Sequence, residues 1–201
     1  MSSLYRQASD FFLSGGAVMP PLLIMSLIMW FLISYKSWQF LNARKREGTV
    51  LDLLAARDGE ETGSIWQRNM VRNFRLLSGR RGTVDFDHLA RVRKKQESDI
   101  DRFIPSILVL AGVAPLMGLL GTVSGMITTF DVIAVFGTGN ARAMAAGISE
   151  ALISTQTGLV VAIPGLVLGN LLSRRAENLK ERLQAFSIGL VLASRQTSSK
   201  G

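Results

Sequence analysis

The sequence contains no cysteine, which excludes a disulfide framework and a thiolate metal site. It contains one histidine, His88, with no second histidine or cysteine to complete a ligand set or a catalytic pair. There is no phosphate-binding loop either: the glycines between residues 118 and 125 have no strand before them. These gaps argue against an enzyme, and neither a metal nor a cofactor is expected. The most informative lack is of charge. Residues 11–35, 103–130 and 151–172 carry no Asp, Glu, Lys or Arg at all.

Each uncharged block is long enough for a helix to cross the ~30 Å hydrocarbon core of a bilayer. Together they hold half of the chain's apolar residues, so the chain reads as an all-α, polytopic membrane protein. The first block contains PPLLIMSLIMWFLISY. It is too long for the apolar region of a signal peptide, and no small-residue cleavage site follows it. A first span is expected over 17–35, with Pro20 and Pro21 in its opening turn, where proline is tolerated. Trp30, Tyr35 and Trp38 form an aromatic belt toward its far end, and Lys36 closes it. Before it, Leu4, Tyr5, Ala8, Phe11 and Phe12 recur at helical spacing, as in a helix lying in the membrane interface or a frayed lead-in.

A polar segment over 36–102 holds 15 of the 23 Lys and Arg. Helical patches are expected at 38–56, 64–77 and 86–102, punctuated by Gly59, Gly63, Gly79 and Gly82. The run Arg91, Arg93, Lys94, Lys95 is read as the charged face of a helix leaving the membrane rather than a nucleic-acid patch. The second span is expected over 103–130, with Pro115 kinking it or freeing a carbonyl near its middle. A turn is expected over 131–142, marked by Gly137, Gly139 and Asn140. The third span is expected over 145–172. Ala176, Leu179, Leu183, Phe186 and Leu190 then keep the helical spacing, so this helix continues into water across 173–201 with one apolar side.

Charge placement gives the orientation. Of the 23 basic residues, only Arg6 and Arg142 lie outside the 36–102 segment and the tail from 173. The positive-inside rule places that segment and the tail in the cytoplasm, with residues 1–16 and the 131–142 turn on the other side. The formal net charge of +8 therefore reports topology, with an attraction for anionic lipids, and no nucleic-acid ligand is expected.

One carboxylate interrupts the third block. Glu150 stands beside twenty-two uncharged residues, and a charge at membrane depth is costly enough to mark a functional site. Ala151, Thr155, Gly158, Ala162, Gly165 and Gly169 step by four and three along one helix face as a stripe of small side chains. Glu150, Ser154 and Thr157 form a polar stripe beside it. On the second span Gly118, Gly121, Gly125 and Thr128 make a matching small stripe, and Thr122 and Thr129 share a face. Such stripes allow either close helix packing or a polar, pore-like surface.

Two stretches carry a family resemblance: APLMGLLGTVSGMITTF (114–130) and GISEALISTQTGLVVAIPGLVLGNLL (147–172). They resemble the ExbB/TolQ/MotA proton-channel family, most closely its ExbB and TolQ branches. The layout of one span, a long polar segment and two spans agrees. Four-span MotA fits less well. The resemblance implies a bacterial inner-membrane protein, N-terminus periplasmic and C-terminus cytoplasmic. It implies a homopentameric ring around the single membrane helices of ExbD- or TolR-like partners, each with an aspartate in its span. Such a ring converts an ion gradient into work on the envelope through a TonB- or TolA-like protein. Carried over by motif, Glu150, Thr155 and Thr122 form the ion pathway. Pro164 matches the proline of the IP motif. Gly118, Gly121, Gly125, Ser154, Gly158 and Pro164 are the helix-packing or pore-lining positions. The small stripes would leave room for the partner's helix. No second carboxylate or histidine lies well inside a span, so a partner would have to bring the other ionisable group. The leading reading is an ExbB-like motor subunit energising TonB-dependent uptake. The alternatives are a TolQ-like role in envelope integrity or division, and a membrane scaffold that conducts nothing.

Overall fold

The computed structural model describes residues 15–44, 64, 66–72 and 86–198. A 3-10 turn, Gly16–Val18, leads into α1, Met19–Arg44. A helix over residues 66–72 (α2) and α3, Phe86–Asp101, precede the two long helices. These are α4, Ile104–Phe136, and α5, Ala141–Ser198, joined by the 3-10 turn Gly137–Gly139. No strand occurs among the described residues. Three helical stretches are long and apolar enough to cross a membrane: Gly16–Asn42, Ala90–Gly139 and Ala141–Leu192. The all-helical architecture with three candidate spans expected from the sequence is therefore present among the described residues.

The boundaries differ in instructive ways. α1 does not stop at Tyr35 but runs on through Lys36 to Arg44, so the first polar patch begins inside the helix of the first span. α4 extends through Asp131 to Phe136, and α5 starts at Ala141 rather than 145. The turn is thus much shorter than 131–142. Asp131 ended the uncharged run, but no Gly or Pro breaks the helix until Gly137, which takes φ +64°. Pro115 and Pro164 both lie inside continuous helices. Neighbouring helices in apolar surroundings can re-satisfy a carbonyl that proline leaves without its donor. The expected continuation of the third helix past residue 172 is present, as α5 runs unbroken to Ser198. The expected helix within 1–14, the patch residues 45–56 and 73–77 and the end of the tail lie outside the described residues.

The chain divides into two compact units. One comprises residues 1–34 and 105–170. Within it many large apolar side chains point outward: Leu27, Phe31, Leu116, Val123, Val160 and Ile163 are all exposed. The inside combines a few large side chains, among them Leu22, Met29 and Ile107, with many small ones. Ala111, Ala114, Ala151 and Ala162 are buried, and Val18 and Leu22 of the first span pack with Ala114 and Ala162. This inversion suits lipid, where exposing Leu costs nothing and small side chains let backbones approach closely.

The other unit comprises residues 35–104 and 171–201. It has an ordinary core: Phe40, Met70, Val71, Ile100, Leu172, Leu183, Phe186 and Leu190 are buried. Trp66 of α2 meets Phe186 edge-on at 5.4 Å, and the Gln96 amide of α3 donates to the Trp66 carbonyl oxygen at 3.2 Å. Lys36 is 1% exposed; its ammonium donates to Gln39 Oε1 at 2.8 Å and to the Asp99 carbonyl oxygen at 3.1 Å. It therefore caps the C-terminal end of α3, where helix carbonyls lack partners. Phe103, with φ 72°, turns the chain between α3 and α4. Its ring packs edge-on against Tyr35 at 6.3 Å and lies 4.8 Å beneath the Arg102 guanidinium. Non-glycine residues seldom adopt this backbone conformation, and packing on both sides holds it.

Candidate functional site

The site lies where α4 and α5 run against each other. Every small residue of the α5 stripe except Thr155 is buried, and Thr155 is partly buried. Gly118, Gly121 and Gly125 of α4 are buried as well. A methyl group at Gly118 would lie 3.0 Å from the Ser154 carbonyl oxygen and 3.1 Å from the Thr155 Cα. One at Gly158 would lie 2.7 Å from the Ala114 carbonyl oxygen, and one at Gly125 would lie 2.7 Å from that of Gly147. The two stripes therefore face each other within the chain. Their small side chains are taken up by the α4–α5 contact, so they do not form an open face for a partner's helix.

The stripes are offset by one residue from the sequence reading at two places. Thr129, not Thr128, closes the α4 stripe: it is 4% exposed, while Thr128 is exposed and bonds the Ser124 carbonyl of its own helix. On α5, Ser154 is fully buried and shares the seam with Thr155.

The hydroxyls converge on two carbonyls. Thr155 Oγ1 donates toward the Gly118 carbonyl oxygen at 3.1 Å, across the helix pair, and toward the Ala151 carbonyl at 3.3 Å. Ser154 Oγ bonds the Ala151 carbonyl at 2.9 Å and lies 3.5 Å from that of Gly118. Thr122, one turn beyond Gly118, donates to the Leu119 carbonyl at 2.7 Å. Thr157 likewise bonds Ile153 in its own helix, at 2.8 Å. Each hydroxyl spends its single proton on a backbone carbonyl and keeps an oxygen lone pair free to accept. Pro164 is partly buried, two helical turns beyond Thr157 on α5.

Glu150 is half-buried, one turn before Ser154. Its carboxyl group rests directly on the Cα of Gly16, at the amino end of the first span. Glu150, Ser154 and Thr155 are thus brought together on adjoining turns of α5, and Thr155 reaches the turn of α4 that precedes Thr122. Gly16 was missed by the sequence reading. Its one signal is the Gly15-Gly16 pair just ahead of the first span, where nothing local calls for glycine.

Among the described residues, no group of three or more His, Cys, Asp or Glu is placed to hold a metal ion. The arrangement places one carboxylate beside a short file of hydroxyl oxygens, all within apolar stretches of the two helices.

Comparison with known proteins gives the family. The MotA/TolQ/ExbB proton channel family matches residues 64–185, more than half of the chain. A biopolymer transport protein ExbB of Pseudomonas putida is 28% identical over 92% of this chain and 61% of its own length. An ExbB-like biopolymer transport protein of Synechocystis sp. is 32% identical, covering 79% of this chain and 67% of that one. The Tol-Pal system protein TolQ of Haemophilus influenzae is 25% identical over 86% of both. This chain therefore spans about three fifths of the length of the Pseudomonas relative. Taken with the three apolar helices and the stripes that join the last two, the match over residues 64–185 establishes that the chain belongs to the MotA/TolQ/ExbB proton channel family.

Proposed function

We propose that this chain is an ExbB-like subunit of an ion-driven motor in the bacterial inner membrane, and that it works with an ExbD- or TolR-like single-span partner. The observation that carries this reading is the file of Glu150, Ser154 and Thr155 at the start of the uncharged part of α5, with Thr155 bonded across to Gly118 of α4. Glu150, Thr155 and Thr122 are the ion pathway. Gly118, Gly121, Gly125, Ser154 and Gly158 hold the two helices that carry it, and Pro164 lies on the same helix as Glu150.

The pathway is incomplete in a single chain. It has one carboxylate, so the second ionisable group comes from the partner, as an aspartate in its span. The free lone pairs of Thr122 and Thr155 accept a hydrogen bond from that group when it is protonated. Five copies of this chain form a ring around the partner helices. The basic residues at 36–102 and in the tail face the cytoplasm, and the N-terminus and the 137–140 turn face the periplasm. Movement of the partner relative to the ring does work on the envelope through a TonB-like protein, energising uptake across the outer membrane. The TolQ relative, matched over most of both chains, supports a second reading in which the partner is TolR-like and the work maintains the envelope through a TolA-like protein.

The test is purification of the chain from native membranes in mild detergent, with co-purifying single-span proteins identified by mass spectrometry. A short partner with one aspartate in its span is expected. Its recovery together with a TonB-like or a TolA-like protein separates the two readings. In the same complex Glu150→Gln abolishes gradient-driven work and leaves assembly intact. A ring recovered with no such partner, and full activity of Glu150→Gln, would establish a scaffold instead.

A further inference from the structure

We infer that Gly16 is a positioning residue for Glu150: the head of the first span forms a steric seat for the carboxyl group, and the missing side chain at Gly16 is what opens that seat. The inference takes from the reading above only the functional meaning of Glu150; the seat itself rests on geometry.

Two separate facts bear on the choice of glycine there. Gly16 has φ +70°, in the left-handed region that side chains disfavour. It also has no room. A methyl group would overlap Glu150 Oε1, lie 2.6 Å from Cδ and 3.0 Å from Cγ. Gly137 separates the two causes, since it has φ +64° but nothing within 4 Å of where its Cβ would stand.

The seat is fixed in place by its neighbours. Val18 is 8% exposed and packs with Leu22, Ala114 and Ala162, which pins the head of the first span to α4 and α5. A methyl at Gly121 would touch Val18 Cγ2 at 3.6 Å and collide with the Ser154 side chain. Gly16 is thus held against the Glu150 carboxyl group by the packing of the residues beside it. The first span therefore acts in the ion path without contributing an ionisable group. It sets which rotamer of Glu150 is occupied and so where a proton is picked up or released.

The test uses the full-length chain purified in detergent and treated with dicyclohexylcarbodiimide, which modifies protonated carboxyl groups in apolar surroundings. The extent of modification at Glu150 is read by peptide mass spectrometry. Gly16→Ala evicts the carboxyl group from its seat, and with a rotamer preference of ordinary size the labelling rate at Glu150 rises about threefold or more. Gly137→Ala carries the same backbone strain and leaves the rate at the wild-type value. An unchanged or lower rate in Gly16→Ala, or an equal rise in Gly137→Ala, overturns the seat. If Gly16→Ala does not yield folded protein, the substitution is repeated with Glu150→Ala. Removing the carboxyl restores the folded yield if the two groups compete for one space, and failure to restore it while Gly137→Ala folds normally overturns the proposal. Labelling does not depend on ion-driven work. An active Glu150→Gln variant would therefore remove the pathway reading and leave this result standing.

Discussion

The Thr155 hydroxyl reaches from α5 to the Gly118 carbonyl oxygen of α4 at 3.1 Å, while the neighbouring Ser154 hydroxyl bonds Ala151 at 2.9 Å and lies close to the same Gly118 oxygen. The helix pair therefore has two hydroxyls for one cross-helix acceptor. Thr155→Val keeps the shape of the side chain and removes its donor and acceptor. Because Ser154 remains, the loss in stability is about 1 kcal/mol or less. Proton flux through the complex with its partner, reconstituted in liposomes, should nevertheless fall about tenfold or more, because a polar member of the file is gone. Thr155→Ser should retain most of it. A variant that loses flux and stability in proportion would show that Thr155 only holds the helices together.

Two glycines predict opposite outcomes for the same substitution. Gly158→Ala places a methyl 2.7 Å from the Ala114 carbonyl and 3.0 Å from the Gly118 Cα, both backbone atoms that cannot step aside. It should separate α4 from α5 and cost about 1–3 kcal/mol. Gly112→Ala meets nothing within 4 Å, on the same pair of helices. It should be neutral or raise stability by up to about 1 kcal/mol, since alanine loses less backbone freedom in a helix. Thermal unfolding in one detergent compares the two directly.

The Lys180 ammonium pairs with the Asp101 carboxylate, and their side chains are 30% and 47% exposed. A contact this open to water should add at most about 1 kcal/mol, and less at high salt. Lys180→Ala should shift the unfolding midpoint only slightly, and the shift should vanish as ionic strength rises. A large, salt-independent loss would mean that Lys180 acts through packing of its stem.

The small stripes were legible because helical periodicity projects them onto a face without any knowledge of the fold, and every glycine read into them is buried. What periodicity could not fix was the last fraction of a turn. A face one residue wide cannot choose between Ser154 and Thr155, or between Thr128 and Thr129, and the partner helix makes that choice. The uncharged run stops at Asp131, which makes the turn look longer than it is, whereas charge ends a span without ending a helix. Gly16 carries only the faint signal of its pairing with Gly15, because its φ of +70° and its contact with Glu150, far away in sequence, show only in the fold. Lys36 was read as the charge that closes the first span, and the long aliphatic stem that lets it fold inward left no trace in the pattern.

Lys36 gives the last prediction. It is 1% exposed, its ammonium lies 5.5 Å from the centre of the Phe40 ring, and it donates to the backbone oxygen of Asp99 near the end of α3. Two groups depend on it. The Asp99 carbonyl belongs to the last turn of α3 and has no partner further along that helix, which ends at Asp101. The Gln39 side chain orients toward the same ammonium. Lys36→Met fills nearly the same volume with no donor, so packing survives while both acceptors lose their partner. Gln39 and Asp99 are themselves exposed, so water can replace the lost donor, and the cost should be about 1 kcal/mol, the net worth of an ordinary hydrogen bond. The loss should be local. Amide hydrogen exchange should quicken in the last turn of α3 and around Phe103, with little change along the α4–α5 seam between Gly118 and Gly158. Lys36→Arg keeps the charge and donors and should recover part of the protection. Uniform loss of protection throughout both units would instead make Lys36 a residue on which the whole fold depends.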